Sequence, residues 1–293
     1  MGDEIISKYS KENRKNIRLN ISKKTQLLIA VMAISAIYFF FLPMKIPRPL
    51  EVKPNEDRNE CVVSEVPSKF GFDPFYKKYC DMDGIPIISS QAVSDHALQQ
   101  TYYIVKNMLL AIPYVKDEFI ESGIYIAIIG KNENQTTLPE YSHMDSEYWD
   151  NRARGLGASG KVKITSVGEE NLLCLNSDRY QGESILVHEF AHTIHLMGLR
   201  KTIFGFEARL RLLYYVGKFE GLWRETYAGS NLKEYWAEGI QTYFRTNIEK
   251  QNPDGIHNSV NTPEELAEYD PRLYKFIDEI YGGFNWTPTC PSE

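Results

Sequence analysis

The longest feature in the hydropathy pattern is an almost unbroken apolar run from Leu27 to Met44, with Ile29, Val31, Ile34, Ile37 and Phe39-Phe40-Phe41 inside it. As a helix its 18 residues would measure about 27 Å, close to the hydrocarbon thickness of a bilayer. It closes on Phe41-Leu42-Pro43-Met44-Lys45 without the small-x-small pattern of a cleaved signal peptide. The expectation is an uncleaved transmembrane signal anchor over residues 26–44. Residues 45–66 carry Pro47, Pro49 and Pro54 among alternating charges and predict a stalk.

Residues 67–293 have the patterning of a folded domain. Ser94-Asp95 opens an apolar-periodic stretch that runs through Leu110 and breaks at Pro113, which predicts a helix. Ile124 to Ile129 is rich in β-branched residues and closes on Gly130, which predicts a buried strand. Residues 131–157 are polar and irregular, a long loop. Val162 to Thr165 alternates and Leu172 to Leu175 is apolar, so both predict short strands. A helix is expected from Glu183 to Met197, ending at Gly198 in a left-handed terminus. Further helices are expected near 206–217 and 232–248. Thr262-Pro263-Glu264-Glu265 supplies a cap, a first-turn proline and a capping-box glutamate in register. The pattern has no internal repeat and reads as α+β, a small sheet followed by a mostly helical C-terminal half.

Charge adds an orientation. Residues 1–25 hold seven Lys/Arg against three Asp/Glu, a net +4, within a chain of net charge −6, so residues 26–293 carry −10. The basic tail before the apolar run places it in the cytoplasm, a single-pass type II arrangement, although Lys45, Arg48, Lys53 and Arg58 moderate the bias. The acidic remainder argues against nucleic acid as a partner. All four cysteines, Cys61, Cys80, Cys174 and Cys290, follow the apolar run. On the lumenal or extracellular side they would form two disulfides, with three pairings open. Two glycosylation sequons lie on the same side, Asn134-Gln135-Thr136 and Asn285-Trp286-Thr287, the second followed by Pro288.

The candidate chemistry sits at His188-Glu189-Phe190-Ala191-His192. On a helix, histidines four apart share one face and can hold one zinc ion per chain. Ile185, Leu186, Phe190 and Ile194 supply the apolar side of that helix. Glu189 would then act as the general base on water at the metal. Glu234 and Glu238, in Glu234-Tyr235-Trp236-Ala237-Glu238, share a face of a later helix. One can complete the ligand set and the other can orient a ligand histidine. We assign Glu234 as ligand and Glu238 to the outer shell, with the reverse also open. His195 lies a full turn past the point where the two histidines converge, which suits an outer-shell or packing role. Tyr227, seven residues before Glu234, could donate to the oxyanion of a tetrahedral intermediate. His96, His143 and His257 lack ligand spacing.

In combination these residues resemble the catalytic domain of anthrax lethal factor and its relatives, whose pattern is H-E-F-G-H, a tyrosine, and an E-F-F-A-E helix with the tyrosine seven before its first glutamate. Ala191 stands where that family has glycine, and Thr137-Leu138-Pro139-Glu140-Tyr141 is a looser likeness. The resemblance spans about residues 120–250. It implies a zincin-like fold with His188, His192 and Glu234 as zinc ligands, Glu189 as base and Tyr227 as oxyanion donor. The lethal-factor regions that bind a carrier and capture kinase substrates have no counterpart here, so neither toxin activity nor kinase specificity carries over. Gly155-Leu156-Gly157-Ala158-Ser159-Gly160-Lys161 imitates a nucleotide-binding loop, but Val162 stands where Ser or Thr should hold magnesium, and a strand pattern follows where a helix is required.

The expectation is therefore a membrane-anchored zinc metallopeptidase acting on peptides or proteins. The alternatives are a metal-stabilised ectodomain that binds a partner without cleaving it, and a zinc hydrolase of non-peptide amides.

Overall fold

The computed structural model describes residues 45–291. The span expected over 26–44 and the tail before it lie outside the described residues. No helix among the described residues is long and apolar enough to cross a membrane. Residues 45–66, read from sequence as a stalk, lie along the folded body. Ile46 and Val52 pack on the main core, Leu50 N–H donates to Ala111 O, and the Asn107 side chain bonds both N–H and O of Asn55.

Six strands form one mixed sheet. A short β1 (Ser64–Glu65) precedes the hairpin β2 (Lys78–Met82) and β3 (Ile85–Ser89). Helices α1 (Asp95–Leu110) and α2 (Pro113–Ser122) lead to β4 (Tyr125–Ile129). Then come α3 (Ser146–Arg152), β5 (Gly155–Leu156), β6 (Ile164–Gly168) and the single turn α4 (Glu169–Leu172). The strand order is β1-β2-β3-β4-β6-β5. The central β3, β4 and β6 are parallel, and β5 returns antiparallel along β6 as an edge. Alternate residues divide the sheet between two apolar layers. Ile87, Ile126, Ile128 and Val167 face the main core, whereas Ile88, Ala127, Ile129 and Ile164 face a smaller cluster with Tyr76, Leu138 and Tyr141.

The helical half follows: α5 (Ile185–Thr193), a π-turn (Ile194–Leu199) running into the short α6 (Arg200–Thr202), then α7 (Phe206–Glu220), α8 (Leu232–Tyr243), α9 (Pro263–Tyr269) and α10 (Pro271–Tyr281). The Thr262 capping box forms as expected, with Glu265 N–H donating to Thr262 Oγ1 and Thr262 N–H to Glu265 Oε2.

The structure departs from the sequence pattern in four further places. Leu172–Leu175 is not a strand. Polar side chains anchor this segment instead: Asn171 Oδ1 accepts from Ile185 N–H and its Nδ2 donates to Asp178 and Glu183 O, and Cys174 turns left-handed at φ 53°. Gly198 does not terminate the helix that carries His188 and His192. It sits where a Cβ would lie 2.5 Å from Val115 Cγ1, so its reason is close packing on α2. The helix expected over 232–248 ends at Tyr243 because Arg245 adopts φ 57° and Thr246 N–H closes back onto Gln241 O. The loop expected over 131–157 contains α3 and β5.

The cysteines pair as Cys61–Cys80 and Cys174–Cys290. Asn134 and Asn285 are both exposed, although Asn285 Oδ1 accepts from Arg245 Nη1 at 2.8 Å.

Candidate active site

Ser184 caps α5, its hydroxyl accepting from Val187 N–H. The helix then carries His188 and His192 on one face, toward α8. Asn231 caps α8 through Lys233 and Glu234 N–H, which sets Glu234 in the first turn, opposite the two imidazoles. Trp236 Nε1 donates to Ala191 O at 3.0 Å and locks the two helices together.

The sequence-predicted ligands converge. Glu234 Oε2 lies 3.1 Å from Nε2 of both His188 and His192, and the two ring nitrogens are 3.1 Å apart. Tetrahedral zinc with bonds of about 2.0–2.1 Å holds its ligand atoms roughly 3.3 Å from one another. Two imidazoles and a carboxylate at this spacing fit such an ion and leave a fourth direction, toward the cleft.

His188 is oriented from behind. Its Nδ1 lies 2.7 Å from Gln241 Oε1, with Glu238 Oε1 farther off at 3.4 Å. The Gln241 amide nitrogen faces the carbonyls of Ser184 and Thr246, so its oxygen faces the ring. His188 therefore donates from Nδ1 and presents the lone pair of Nε2 to the metal position. Glu238 contributes to that outer shell and is itself held by Asn247 Nδ2 at 2.8 Å. The sequence reading missed Gln241. Its helical face was legible, because it stands seven after Glu234 and three after Glu238, but nothing in the sequence pairs it with His188. His195 is buried and turns away, its Nε2 2.8 Å from Glu207 Oε2 and its ring against Phe206 and Trp236.

The electrostatics follow from burial and pairing. Burial opposes the charged form of His188, but hydrogen bonds with Glu234 and Glu238 prevail and hold the imidazole well above its ordinary range. Burial pushes the Glu234 carboxyl up, and the two histidines outweigh that and hold it well below the usual carboxylate range. Burial first, then the carboxylates of Glu234 and Glu189, push the Tyr227 phenol up, so it stays protonated at neutral pH.

Tyr227 stacks on His188 with ring centroids 6.0 Å apart. Its loop is held in an unusual conformation. Trp223 and Glu225 adopt φ of 58° and 54°, a left-handed cost of about 1–2 kcal/mol each. Trp223 offsets it by burial and by donating Nε1–H to Asp270. Gly229 passes so close that a Cβ would lie 2.0 Å from Trp223 O, and Tyr227 N–H is fixed on Ile256 O at 2.8 Å.

These groups line a cleft of about 550 Å³ that also includes Glu189, Trp149, Arg152, Tyr180, Lys233 and the β5 edge. The edge is Gly155–Leu156. The strand expected at Val162–Thr165 instead runs into β6, which is paired on both sides by β4 and β5. Gly157 lies against α5, where a Cβ would meet Glu189 O and the His192 Cβ at 2.6 Å each. Ala158 N–H donates to Thr193 Oγ1 at 2.9 Å, fastening this strand-and-turn to the same helix. The glycine-rich segment is thus a turn into β6, with Ser159 bridging Val162.

No family model and no curated protein matches the chain. Among solved structures it is similar to the Pro-Pro endopeptidase of Paenibacillus alvei, with 14% identity and a TM-score of 0.46, over 68% of this chain and 98% of that one. The likeness to lethal factor rests on the motif residues themselves.

Proposed function

We propose that this chain is a zincin-like zinc metallopeptidase, anchored by a single N-terminal span with its catalytic domain lumenal or extracellular. The observation that carries the reading is the convergence of His188, His192 and Glu234, donor atoms 3.1 Å apart, at a cleft that Glu189 and Tyr227 also line. The two disulfides and the exposed Asn134 support the side of the membrane.

A zinc ion held by these three residues would polarise a peptide carbonyl and bring the pKa of water toward about 7. Glu189, one residue past the first ligand, would take a proton from water in the cleft and return it to the leaving amine. Tyr227, kept protonated by its surroundings, donates its O–H to the carbonyl oxygen as charge develops there. Gln241 and Glu238 hold the His188 ring in its ligating tautomer. The β5 edge offers backbone groups to an extended peptide. A non-catalytic metal site would need neither Glu189 nor Tyr227 in the cleft.

Metal content by mass spectrometry, on the wild-type protein and on His188→Ala and Glu234→Ala, tests the reading. About one zinc per chain, lost in both variants, is expected. A folded wild-type protein that takes up no supplied zinc would overturn it.

A further inference from the structure

The charged groups of the cleft divide into spent and spare. Arg154 is buried and paired with both oxygens of Glu170. Glu183 faces His257, with Oε1 and Nε2 3.2 Å apart. Glu234 meets the two histidines, and Glu238 is held by Asn247 and lies beside His188. Two cations that line the same cleft, Arg152 and Lys233, have no carboxylate partner among the described residues.

Both are mounted on fixed backbone. Arg152 ends α3, where Tyr180 Oη–H donates to Arg152 O and Arg179 Nη1–H donates to Asn151 O. Its guanidinium leans over the Tyr148 ring at 5.8 Å and lies close enough to Tyr227 to favour the ionised phenol. Lys233 is in the first turn of α8, immediately before Glu234, with its N–H on the Asn231 cap. One cation therefore belongs to the segment that leads into the β5 edge, and the other to the helix that carries the third ligand. Both cations line the same cleft as the β5 edge and Glu234, so a peptide held at that edge shares the cleft with both. In a body of net charge −10 these two cations stand against one cleft carboxylate without an ion-pair partner among the described residues, Glu189, so the spare charge at this cleft is net positive.

We infer that Arg152 and Lys233 select peptides bearing a carboxylate close to the bond presented to His188, His192 and Glu234. The inference rests on the peptidase reading for the identity of the ligand as a peptide. The carboxylate has two possible sources, an Asp or Glu side chain or the free C-terminus of the peptide.

The test uses the zinc-loaded full-length chain and the same chain as Glu189→Gln, with fluorescent peptides that differ only in Glu against Gln at positions around a central bond. Each peptide is made with a free and with an amidated C-terminus. Cleavage is read as kcat/KM on the wild type, and binding as anisotropy on Glu189→Gln. Acidic peptides should be preferred by roughly three- to tenfold, the scale of one or two partly screened charge pairs, with the preference falling as salt rises. Arg152→Gln and Lys233→Gln should each reduce it, mainly through KM, while Lys275→Gln on α10, outside the cleft, should not. A preference for Glu over Gln that survives amidation identifies the side chain, and a preference for the free over the amidated peptide, whether it carries Glu or Gln, identifies the terminus. Either supports the inference. Equal binding of all four peptides overturns it whatever is cleaved. Charge-selective binding with no cleavage of any peptide by the zinc-loaded wild type supports it and overturns the peptidase reading instead.

Discussion

At the scale of single residues, the proposed site separates groups that would hold a metal from groups that would act on substrate. Glu189→Gln keeps a cleft-lining side chain of nearly the same shape and loses the base. Zinc content should stay at the wild-type level while kcat falls by at least about 10²–10⁴. Turnover within a factor of a few of wild type would remove Glu189 from its role. Tyr227→Phe leaves the ring that stacks on His188 and removes only the O–H. Its expected cost is about 10²–10³ in kcat with KM little changed, checked by steady-state kinetics. Gln241→Leu should act differently, because it deprives His188 Nδ1 of its 2.7 Å acceptor. A chelator competition should show zinc bound about 10- to 100-fold more weakly, and unchanged affinity would show that Glu238 alone suffices. The motif residues were legible because helical spacing relates them locally. Gln241 was not distinguished from any other polar residue of its helix, because its role exists only where α8 meets α5.

At the scale of elements, the cleft depends on how closely β5 and the turn after it approach α5. The place of Gly157 is set by contact, since a methyl there would fall 2.6 Å from Glu189 O and from the His192 Cβ. Gly157→Ala should therefore push the edge away from the helix. We expect a loss of 1–3 kcal/mol in unfolding free energy, the usual cost of overpacking, and a larger proportional loss of kcat/KM than of zinc affinity. Denaturant melts and chelator competition on the one variant separate these. Full activity and stability would mean that the turn yields freely. From sequence this segment was legible only as a glycine-rich turn leading into a strand. Two paired residues are too short for a periodic signal, and the neighbours that make β5 an edge come from elsewhere in the chain.

At the scale of the whole molecule, protons would compete with the proposed metal. The folded pKa of His188 is raised, so its charged pairing stabilises the metal-free protein fully below the unfolded value of about 6.5 and is lost as pH rises through the folded value. Zinc needs the neutral imidazole, so its binding strengthens in the same direction. The difference in thermal midpoint between zinc-loaded and chelator-stripped protein should widen as pH rises from about 6 to about 8. A difference independent of pH would exclude this competition. The disulfides act over different spans. Cys174–Cys290 bridges a separation of 116 residues, and Cys61–Cys80 one of 19. Chain entropy makes the first worth about 5 kcal/mol and the second about 3. Paired Cys→Ser replacement of Cys174 and Cys290 should therefore lower the unfolding midpoint more than replacement of Cys61 and Cys80. The reverse order would show that residual structure or local packing dominates.

The sequence alone determined the features set by neighbours along the chain. These are the face shared by His188 and His192, the caps at Ser94 and Thr262, the buried strand ending at Ile129, and the glutamate helix that begins after Asn231. Each depends on backbone periodicity or on a hydrogen bond spanning a few residues. Only the tertiary structure decided which cysteines pair, that residues 45–66 lie on the body, that β5 is the edge, and that Gln241 stands behind His188. Those outcomes depend on contacts between segments far apart in sequence, where hydrophobic burial brings the partners together and no local pattern records their meeting.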